Sequence, residues 1–422
     1  MAYEFNITQS ERDYVRELAH KCMDYANLPI MNHRTKLWHA HNSLHGERPM
    51  IVMEMESFIQ DMMPPMRCES PEAREMEWNL TAMIVNYEQI NDDKVIPPYY
   101  TVYWDIGYQK FHGLDISKTF AKDSEGRQIG FTQKHPIKDL KEDIHNLKPS
   151  VYSVNRERTA ARKQFVEEVL GDIMPVVLKN NSLLWFFMPS MCVTDLMGLE
   201  AMMYAMVDYP EEIHQLYRFI RDDLIAFVRW QEQEGLLSLN NANDFTGAGS
   251  FGFTEELPTS KYSQSGRITT KDLWVNINSQ ETVSISPAMF GEFTYPYCRD
   301  LAEQFGLVYF GCCEPVDKIW EYIKNLPGLR KVSVSPWCNE EFMGNALRSG
   351  KVIYSRKPSP NYIGVGTIFD EDAFAEHVAK TLIAAKGCEL EFICRDIYTV
   401  SGDKGKPGRA VKLMRELIDR SW

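Results

Sequence analysis

GLVYFGCCEPVDKIWEYIKNLPGLRKVSVSPWCNEEFMGNALRSGKVIYS, residues 306–355, is the stretch that decides the fold. In it, short apolar runs alternate with segments of helical spacing. We predict strands at 306–311, 331–335 and 351–355, followed in turn by helices at 316–325, 339–347 and 371–385. Strand–helix alternation with short loops is typical of parallel βαβ units, so this stretch predicts an α/β fold.

Five further apolar runs bring the number of predicted strands to eight, the number that closes a TIM barrel. They cover residues 50–54, 99–104, 183–187, 236–240 and 390–394. The run 273–277 could form a ninth strand, but we assign it to the long loop after the fourth. The sequence therefore predicts a single (β/α)8 TIM barrel over residues 46–422, with an N-terminal helical extension over 1–45 and an insertion at about 105–180.

Composition narrows the class of protein. The 422 residues are 44% hydrophobic and 25% charged, which is ordinary for a globular chain that buries a core. A net charge of −13 argues against binding to nucleic acid or to an anionic membrane. We recognise no signal peptide, no disulfide framework among the nine cysteines, and no apolar run near the roughly 18 residues of a membrane span. We therefore expect a cytoplasmic protein with reduced thiols that acts on a small molecule, with a homodimer allowed.

The residues that follow each predicted strand are the candidates for chemistry, because the carboxyl ends of barrel strands meet at one rim. As catalytic residues we select Glu54, Asn240, Asp244 and, in a later loop, Glu281. As cofactor-binding residues we select Trp337 and Arg356. As metal ligands we select a thiol-rich set, namely Cys312, Cys313, Glu314 and Cys394.

Thiols at two strand ends point to a soft metal, and zinc is the first candidate. Zinc takes three or four ligands from thiolate, imidazole or carboxylate, and a catalytic site keeps one position open. Cys312 or Cys313, together with Cys394 and a carboxylate, would supply such a set. The alternative is that these are buried free cysteines with no ligand, which are common in protein cores.

With these residues in place, the chain resembles the uroporphyrinogen decarboxylase-like superfamily, and in particular a branch that carries Gly-Cys-Cys-Glu-Pro. The motif is Gly311-Cys-Cys-Glu-Pro315 here, accompanied by Leu329-Arg-Lys-Val-Ser-Val-Ser-Pro-Trp337, Lys357-Pro-Ser-Pro360 and Arg395-Asp396. The resemblance runs from about residue 34 to the last helix, and it implies a TIM barrel.

Two chemistries belong to that superfamily. Its true decarboxylases hold a polycarboxylate with an Arg-rich segment after strand one, whereas residues 53–57 are acidic here. Its corrinoid-dependent methyltransferases bind zinc through His-x-Cys after strand five and a Cys at strand eight, which Cys312 and Cys394 match. Phe310 stands at the histidine position, so the third ligand would have to come from Glu314, Cys313 or Glu281.

The resemblance therefore implies a zinc-assisted, corrinoid-linked methyltransferase. It would move a methyl group from a small donor, such as a methoxylated aromatic, to the corrinoid of a partner protein, or from methylcobalamin to a thiol. One alternative is a lyase on a different carboxylic acid, held by Arg356 or Arg395. Another is a non-catalytic tetrapyrrole- or corrinoid-binding protein, with Cys313 as an axial ligand.

Overall fold

The strands of the C-terminal third pair side by side in a parallel sheet. The computed structural model describes residues 3–122, 128–348 and 350–422. Within them the strands, numbered along the chain, are β1 (Met50–Met53), β2 (Tyr100–Tyr103), β3 (Ile106–Gln109), β4 (Lys118–Lys122), β5 (Gln128–Gln133), β6 (Val151–Val154), β7 (Val176–Lys179), β8 (Phe245–Gly247), β9 (Ser250–Phe251), β10 (Trp274–Ile277), β11 (Leu307–Phe310), β12 (Leu329–Val334), β13 (Ile353–Arg356) and β14 (Leu390–Cys394). Six of them form the central sheet in the order β1-β14-β13-β12-β11-β10.

Several of the described helices cover one face of this sheet, while those of the N-terminal region pack on one another or on its other face. All of them are numbered along the chain. They are α1 (Gln9–Ala26), α2 (Pro29–Asn42), α3 (Ile59–Met62), α4 (Pro71–Val85), α5 (Leu140–Asp143), α6 (Arg156–Leu170), α7 (Pro189–Met197), α8 (Leu199–Asp208), α9 (Pro210–Glu234), α10 (Ser260–Ser265), α11 (Pro287–Phe293), α12 (Tyr295–Ala302), α13 (Trp320–Ile323), α14 (Glu340–Leu347), α15 (Asn361–Gly364), α16 (Glu371–Ala384) and α17 (Lys406–Ser421). The long α9 shows why such segments are helical. Pro210 occupies its first turn, Gly235 ends it at a φ of 68°, and apolar residues three and four apart form its buried face.

The α/β class is confirmed, and five predicted strands are confirmed as β1, β11, β12, β13 and β14. The predicted strand at 99–104 forms as β2, but it pairs with β7 and not with the central sheet. Beyond its two edges, the described part of the chain makes isolated contacts with the sheet. A bridge joins Phe187 to Ile277, the Asn278 N–H donates to the Phe187 carbonyl, and the Asp93 N–H donates to the Ile51 carbonyl. The closed eight-stranded barrel therefore stays a prediction.

The third and fourth strands were placed wrongly by the sequence. Residues 183–187 form turns that end in a single bridge at Phe187. Residues 236–240 form no strand, and the position beside β11 belongs to β10, which we had assigned to a loop. Asn240 explains the difference. Its side-chain amide accepts the Trp274 N–H at 2.9 Å and donates to the Trp274 carbonyl at 3.0 Å, so a side chain occupies the edge where a backbone strand was expected.

The two faces of the sheet differ in chemistry. On the face covered by helices lie apolar side chains such as Val332, Phe392 and the thiol of Cys394, which belong to the main core. The opposite face is polar although it is fully buried: Lys331 is within 3.2 Å of Glu391, for example. Because side chains alternate along a strand, residue parity decides which face each one reaches.

A second core lies under the N-terminal helices. Helix α1 packs on α4 and α6 over an apolar cluster that includes Val15, Leu80 and Val102. Residues 1–2 of the predicted extension and 123–127 of the predicted insertion lie outside the described residues, and the proposed domain boundaries stay a prediction. Among the helices that the structure describes, none combines the length and the apolar character that a membrane span requires.

Candidate active site

Two thiols lie together just beyond the end of β11. Gly311 makes the turn at a φ of 94°, a conformation that favours glycine. The Sγ atoms of Cys312 and Cys313 are then 3.4 Å apart. Cys312 is buried, while Cys313 is partly exposed. A hydrogen bond of 2.5 Å from Ser333 Oγ to the Cys312 carbonyl fixes this turn against β12.

The two thiols differ in acidity. The hydrogen bond between the two thiols lowers the pKa of Cys312, and the positive charge of Arg395 adds to this, against the opposing effect of burial. The same hydrogen bond and burial raise the pKa of Cys313. A thiolate is the nucleophilic and metal-binding form of cysteine, and Cys312 is the thiol of the pair that loses its proton more readily.

Arg395 is the cation beside the thiols. Its Nε lies 3.1 Å from Glu54 Oε2 and 3.4 Å from Asp396 Oδ2, and Asp396 Oδ2 is also 3.4 Å from Cys313 Sγ. The guanidinium stacks over the ring of Trp185 at 5.0 Å. Burial raises the pKa of Glu54, although the charge of Arg395 opposes this. We call Glu54, Cys312, Cys313, Arg395 and Asp396 the rim cluster.

A buried amine lies on the same polar face of the sheet. Lys357 donates to the hydroxyl of Tyr309 and, at 3.0 Å, to Ser355 Oγ. Burial lowers the pKa of Lys357 to about 8, and the charge of Glu391 opposes this. The Lys357 charge also favours the thiolate of Cys312. The rim cluster therefore lies near a proton-carrying group that bulk solvent does not reach.

The backbone is strained on both sides of Arg395. Trp185, Asp396 and Tyr398 have φ angles of 57°, 58° and 60°, in the left-handed region that bulky residues rarely adopt. Strain of this kind is retained where the surrounding structure fixes a conformation, commonly at functional sites. Here the strained backbone fixes the Trp185 ring under the guanidinium of Arg395 and the Asp396 carboxylate beside the thiols.

Three further predicted site residues have partners other than the two thiol groups. The Glu314 carboxylate accepts the N–H groups of Ser279 at 2.9 Å and Cys312 at 2.8 Å, so it holds the loop together. Glu281 accepts a hydrogen bond of 2.7 Å from Ser190. The Cys394 thiol faces the helices, 4.0 Å from Met414 Sδ, and burial raises its pKa to about 12.

Four further predicted residues are not brought to the rim cluster. Asn240 is occupied by the backbone of β10, and Asp244 forms an ion pair with Lys179. Trp337 is 70% exposed at the surface. Arg356 points toward the helices, where Glu340 and the carbonyls of β12 bind its guanidinium. Of the site residues predicted from the sequence, the structure brings together Glu54, Cys312 and Cys313.

Sequence reasoning missed Trp185 and Tyr309, and it did not select Lys357, Arg395 or Asp396 from the rim. The alternation of side chains along β13 could have identified Lys357. Lys357 is two residues beyond Ser355 and therefore lies on the same face of β13. Trp185 gives no comparable signal, because its position depends on a strained turn and not on a regular element.

The side chains of the rim cluster match part of the ligand set that a zinc ion requires. Among the residues that the structure describes, no three His, Cys, Asp or Glu side chains form a preformed metal site. Two thiolates on one tetrahedral zinc ion lie roughly 3.8 Å apart, however, which is close to the 3.4 Å between Cys312 and Cys313. Asp396 is the carboxylate in contact with this pair.

Comparison with known proteins gives little to identify the chain. No protein-family model matches it, and no curated protein matches it. A solved structure of a methyltransferase from Methanosarcina mazei is similar over 81% of this chain and 85% of that chain, with 13% sequence identity and a TM-score of 0.42. That degree of similarity does not assign an activity to this protein.

Proposed function

We propose that this protein is a methyltransferase in which the thiol pair of the rim cluster is the reacting centre. The observation that carries the proposal is the 3.4 Å contact between Cys312 and Cys313 beside the cation of Arg395. The thiolate is the metal-binding form of cysteine, so this pair could hold a soft metal ion that would activate the methyl donor or the accepting thiol.

We propose zinc as the cofactor, held by Cys312, Cys313 and Asp396. We propose Asp396 in place of Glu314 and Cys394, the ligands predicted from the sequence, because Glu314 is bonded to two backbone amides and Cys394 faces the helices. When bound, zinc would act as a Lewis acid toward the sulfur or oxygen of the substrate.

The protein's own residues would handle charge and protons. Arg395 offsets the negative charge that thiolates and carboxylates bring to the rim cluster. Glu54 can hold a proton, since burial raises its pKa. Lys357, with its pKa lowered to about 8, can exchange one with Tyr309 or Ser355. Burial of these groups keeps bulk water from competing for the methyl group.

A corrinoid carried by a separate protein is the proposed methyl carrier. Cys313 is the more exposed thiol, so the partner would approach at the carboxyl edge of the sheet. We further propose that the sheet is part of a closed (β/α)8 ring of the uroporphyrinogen decarboxylase-like kind. The contacts of Phe187 and Asp93 with its two edges support this closure.

Methyl transfer from methylcobalamin to a small thiol tests the proposal, with the loss of methylcobalamin absorbance as the readout and metal content measured in parallel. Cys312→Ser and Cys313→Ser are expected to lose zinc and to slow transfer by at least roughly tenfold. Cys394→Ser is the matched control and should keep both. Zinc retention in both rim variants, or its loss in the Cys394 variant, would overturn the assignment of ligands. If wild-type protein transfers no methyl group, the proposed activity itself fails.

A further inference from the structure

A cavity of about 110 Å³ lies between the end of β7 and β10, and no residue of the rim cluster lines it. Its floor is formed by the buried residues 273–276, at β10, and by Thr246. The exposed side chains of Tyr103, Asn181 and Leu184 surround its mouth. A small molecule from solvent could therefore enter at the mouth and reach the floor.

Among the residues that the structure describes, the charges in the lining of this cavity cancel. Lys179 and Asp244 are its charged side chains, and they form an ion pair with each other. Lys179 also donates to the Tyr99 hydroxyl at 3.3 Å, and Asp244 accepts the Ala242 N–H at 3.3 Å. A charged ligand would have to displace one member of the ion pair, so an uncharged ligand fits the cavity better.

One oxygen on the floor of the cavity lacks a hydrogen bond. Other polar side chains of the lining are bonded within the protein: Asn180, Asn240 and Thr246 donate to backbone carbonyls over 2.8, 3.0 and 3.2 Å. Asn276 is only 4% exposed, and its Oδ1 has no hydrogen-bond partner in the described part of the chain. A buried acceptor without a partner is destabilising, so this oxygen requires a donor from outside the chain.

The Asn276 amide also connects the cavity with the turn that follows β11. Its Nδ2 donates to the Tyr309 carbonyl at 3.3 Å and to the Gly311 carbonyl at 3.4 Å. Its Oδ1 therefore faces away from these carbonyls, toward Gly247, which has a φ of 99°. A Cβ at Gly247 would lie 3.0 Å from Oδ1, so glycine at this position leaves the oxygen uncovered. A ligand bonded to Oδ1 would be separated from the Gly311 turn by a single amide group.

The volume and the walls of the cavity limit the ligand to a small molecule with an apolar body. A cavity of about 150 Å³ holds benzene, so this one has room for roughly five non-hydrogen atoms. Leu237, Leu273 and Val275 supply apolar walls. The ligand must therefore combine a short apolar part with one donor group.

We propose that this cavity binds a small uncharged molecule that donates an N–H or O–H group to Asn276 Oδ1 and places an apolar body against the leucine walls, as a primary amide does. The site requires neither zinc nor methyl transfer, so the inference goes beyond the proposed function and does not rest on it.

Two probes of the same shape test the role of the donor: propionamide, and 2-butanone, in which a methyl group replaces the NH₂ group. Their affinities for the full-length protein are measured at pH 7 by titration with saturation-transfer NMR. Propionamide is expected to bind at least about tenfold more tightly, which is the effect of one hydrogen bond. Equal or tighter binding of 2-butanone overturns the inference. Absence of propionamide binding also overturns it, since the cavity would then take water only.

Two variants locate the bound amide. Asn276→Ala removes the acceptor, whereas Ser238→Leu fills the cavity from its wall and leaves Asn276 in place. Both should lower the affinity for propionamide by at least roughly tenfold. Ser263→Leu makes the same change at an exposed serine of α10, outside the cavity, and should bind as wild type does.

Ser238→Leu keeps the inference testable if Asn276→Ala does not fold, because it does not alter the hydrogen bonds of the Asn276 amide. Wild-type affinity in Ser238→Leu would place the bound amide elsewhere and overturn the assignment of the site. An equal loss of affinity in Ser263→Leu would also overturn it, since that residue does not line the cavity.

Discussion

Cys312 and Cys394 show how the same side chain takes different roles at two strand ends. Cys394 is the last residue of β14 and faces the helices, where burial keeps it protonated. Cys312 follows the Gly311 turn and meets Cys313 and Arg395, which favour its thiolate. The two cysteines differ in acidity because their neighbours differ. Their positions in the sequence suggested one shared site, whereas the fold gives them separate surroundings.

Replacing Cys313 tests whether its hydrogen bond lowers the pKa of Cys312. In chelator-treated protein, Cys313→Ala should raise that pKa and slow alkylation of Cys312 by iodoacetamide at pH 7 by roughly tenfold. Cys313→Ser retains a donor and should restore much of the rate. Peptide mass spectrometry over a pH series gives the pKa directly. Equal titration of Cys312 in both variants would rule out this role for Cys313.

At the scale of elements, apolar runs and strand–helix alternation carried most of the prediction and also limited it. Five of the eight strands predicted from apolar runs formed in the central sheet, because each run is buried on the face that the helices cover. The alternation of side chains along a strand, which the prediction did not use, also puts Lys357 beside Ser355. Apolar runs failed at residues 236–240, where the side chain of Asn240 replaces strand pairing, and at Trp185, which belongs to no strand. Such contacts depend on tertiary partners that a local pattern does not contain.

The polar face of the sheet holds a buried ion network between β12 and β14. Lys331 Nζ lies 3.2 Å from Glu391 Oε2, which also receives hydrogen bonds from Ser250 at 2.8 Å and His41 at 3.2 Å. Burial alone would raise the pKa of Glu391, but Lys331 and His41 outweigh it and hold the pKa well below its usual range. The network is stable only as a complete set, because each charge depends on its partner.

Lys331→Met should therefore be strongly destabilising. It leaves the Glu391 carboxylate buried without its cation, at a cost of about 3–5 kcal/mol in the free energy of unfolding measured with urea. The double variant Lys331→Met with Glu391→Gln removes both charges and should recover part of that loss. A single variant as stable as wild type would show that Glu391 takes up a proton without penalty.

For the whole molecule, part of the acid sensitivity is expected to come from His377, a half-buried residue of α16. Ser359 N–H donates to His377 Nε2 at 3.2 Å, a bond that requires the neutral ring. Burial and the charge of Arg356 lower the pKa of His377 to about 4. An unfolded histidine has a pKa near 6.5, so between these values the unfolded chain binds more protons than the folded one. Stability contributed by this residue is present above pH 6.5 and is lost as the pH falls toward 4.

His377→Gln should reduce this acid sensitivity, because glutamine keeps an acceptor oxygen and does not titrate. The free energy of unfolding of wild type should fall by roughly 2 kcal/mol more than that of the variant between pH 7 and pH 4.5. Urea titrations at several pH values provide the measurement. His112→Gln, at an exposed histidine, is the control and should follow wild type. If the free energies of unfolding of wild type and of His377→Gln changed with pH to the same extent, His377 would not be the source of the acid sensitivity.

The charges buried at the sheet determine how the protein should respond to dissolved salt. Lys331 and Lys357 are buried on the polar face and Arg395 is mostly buried beside it, so mobile ions have little access to these charges. Dissolved salt screens charges on a surface over about 8 Å at physiological ionic strength, but screens buried ones far less. The reactivity of the Cys312 thiolate should therefore be nearly independent of ionic strength, whereas the encounter with a charged partner at the exposed edge should depend on it.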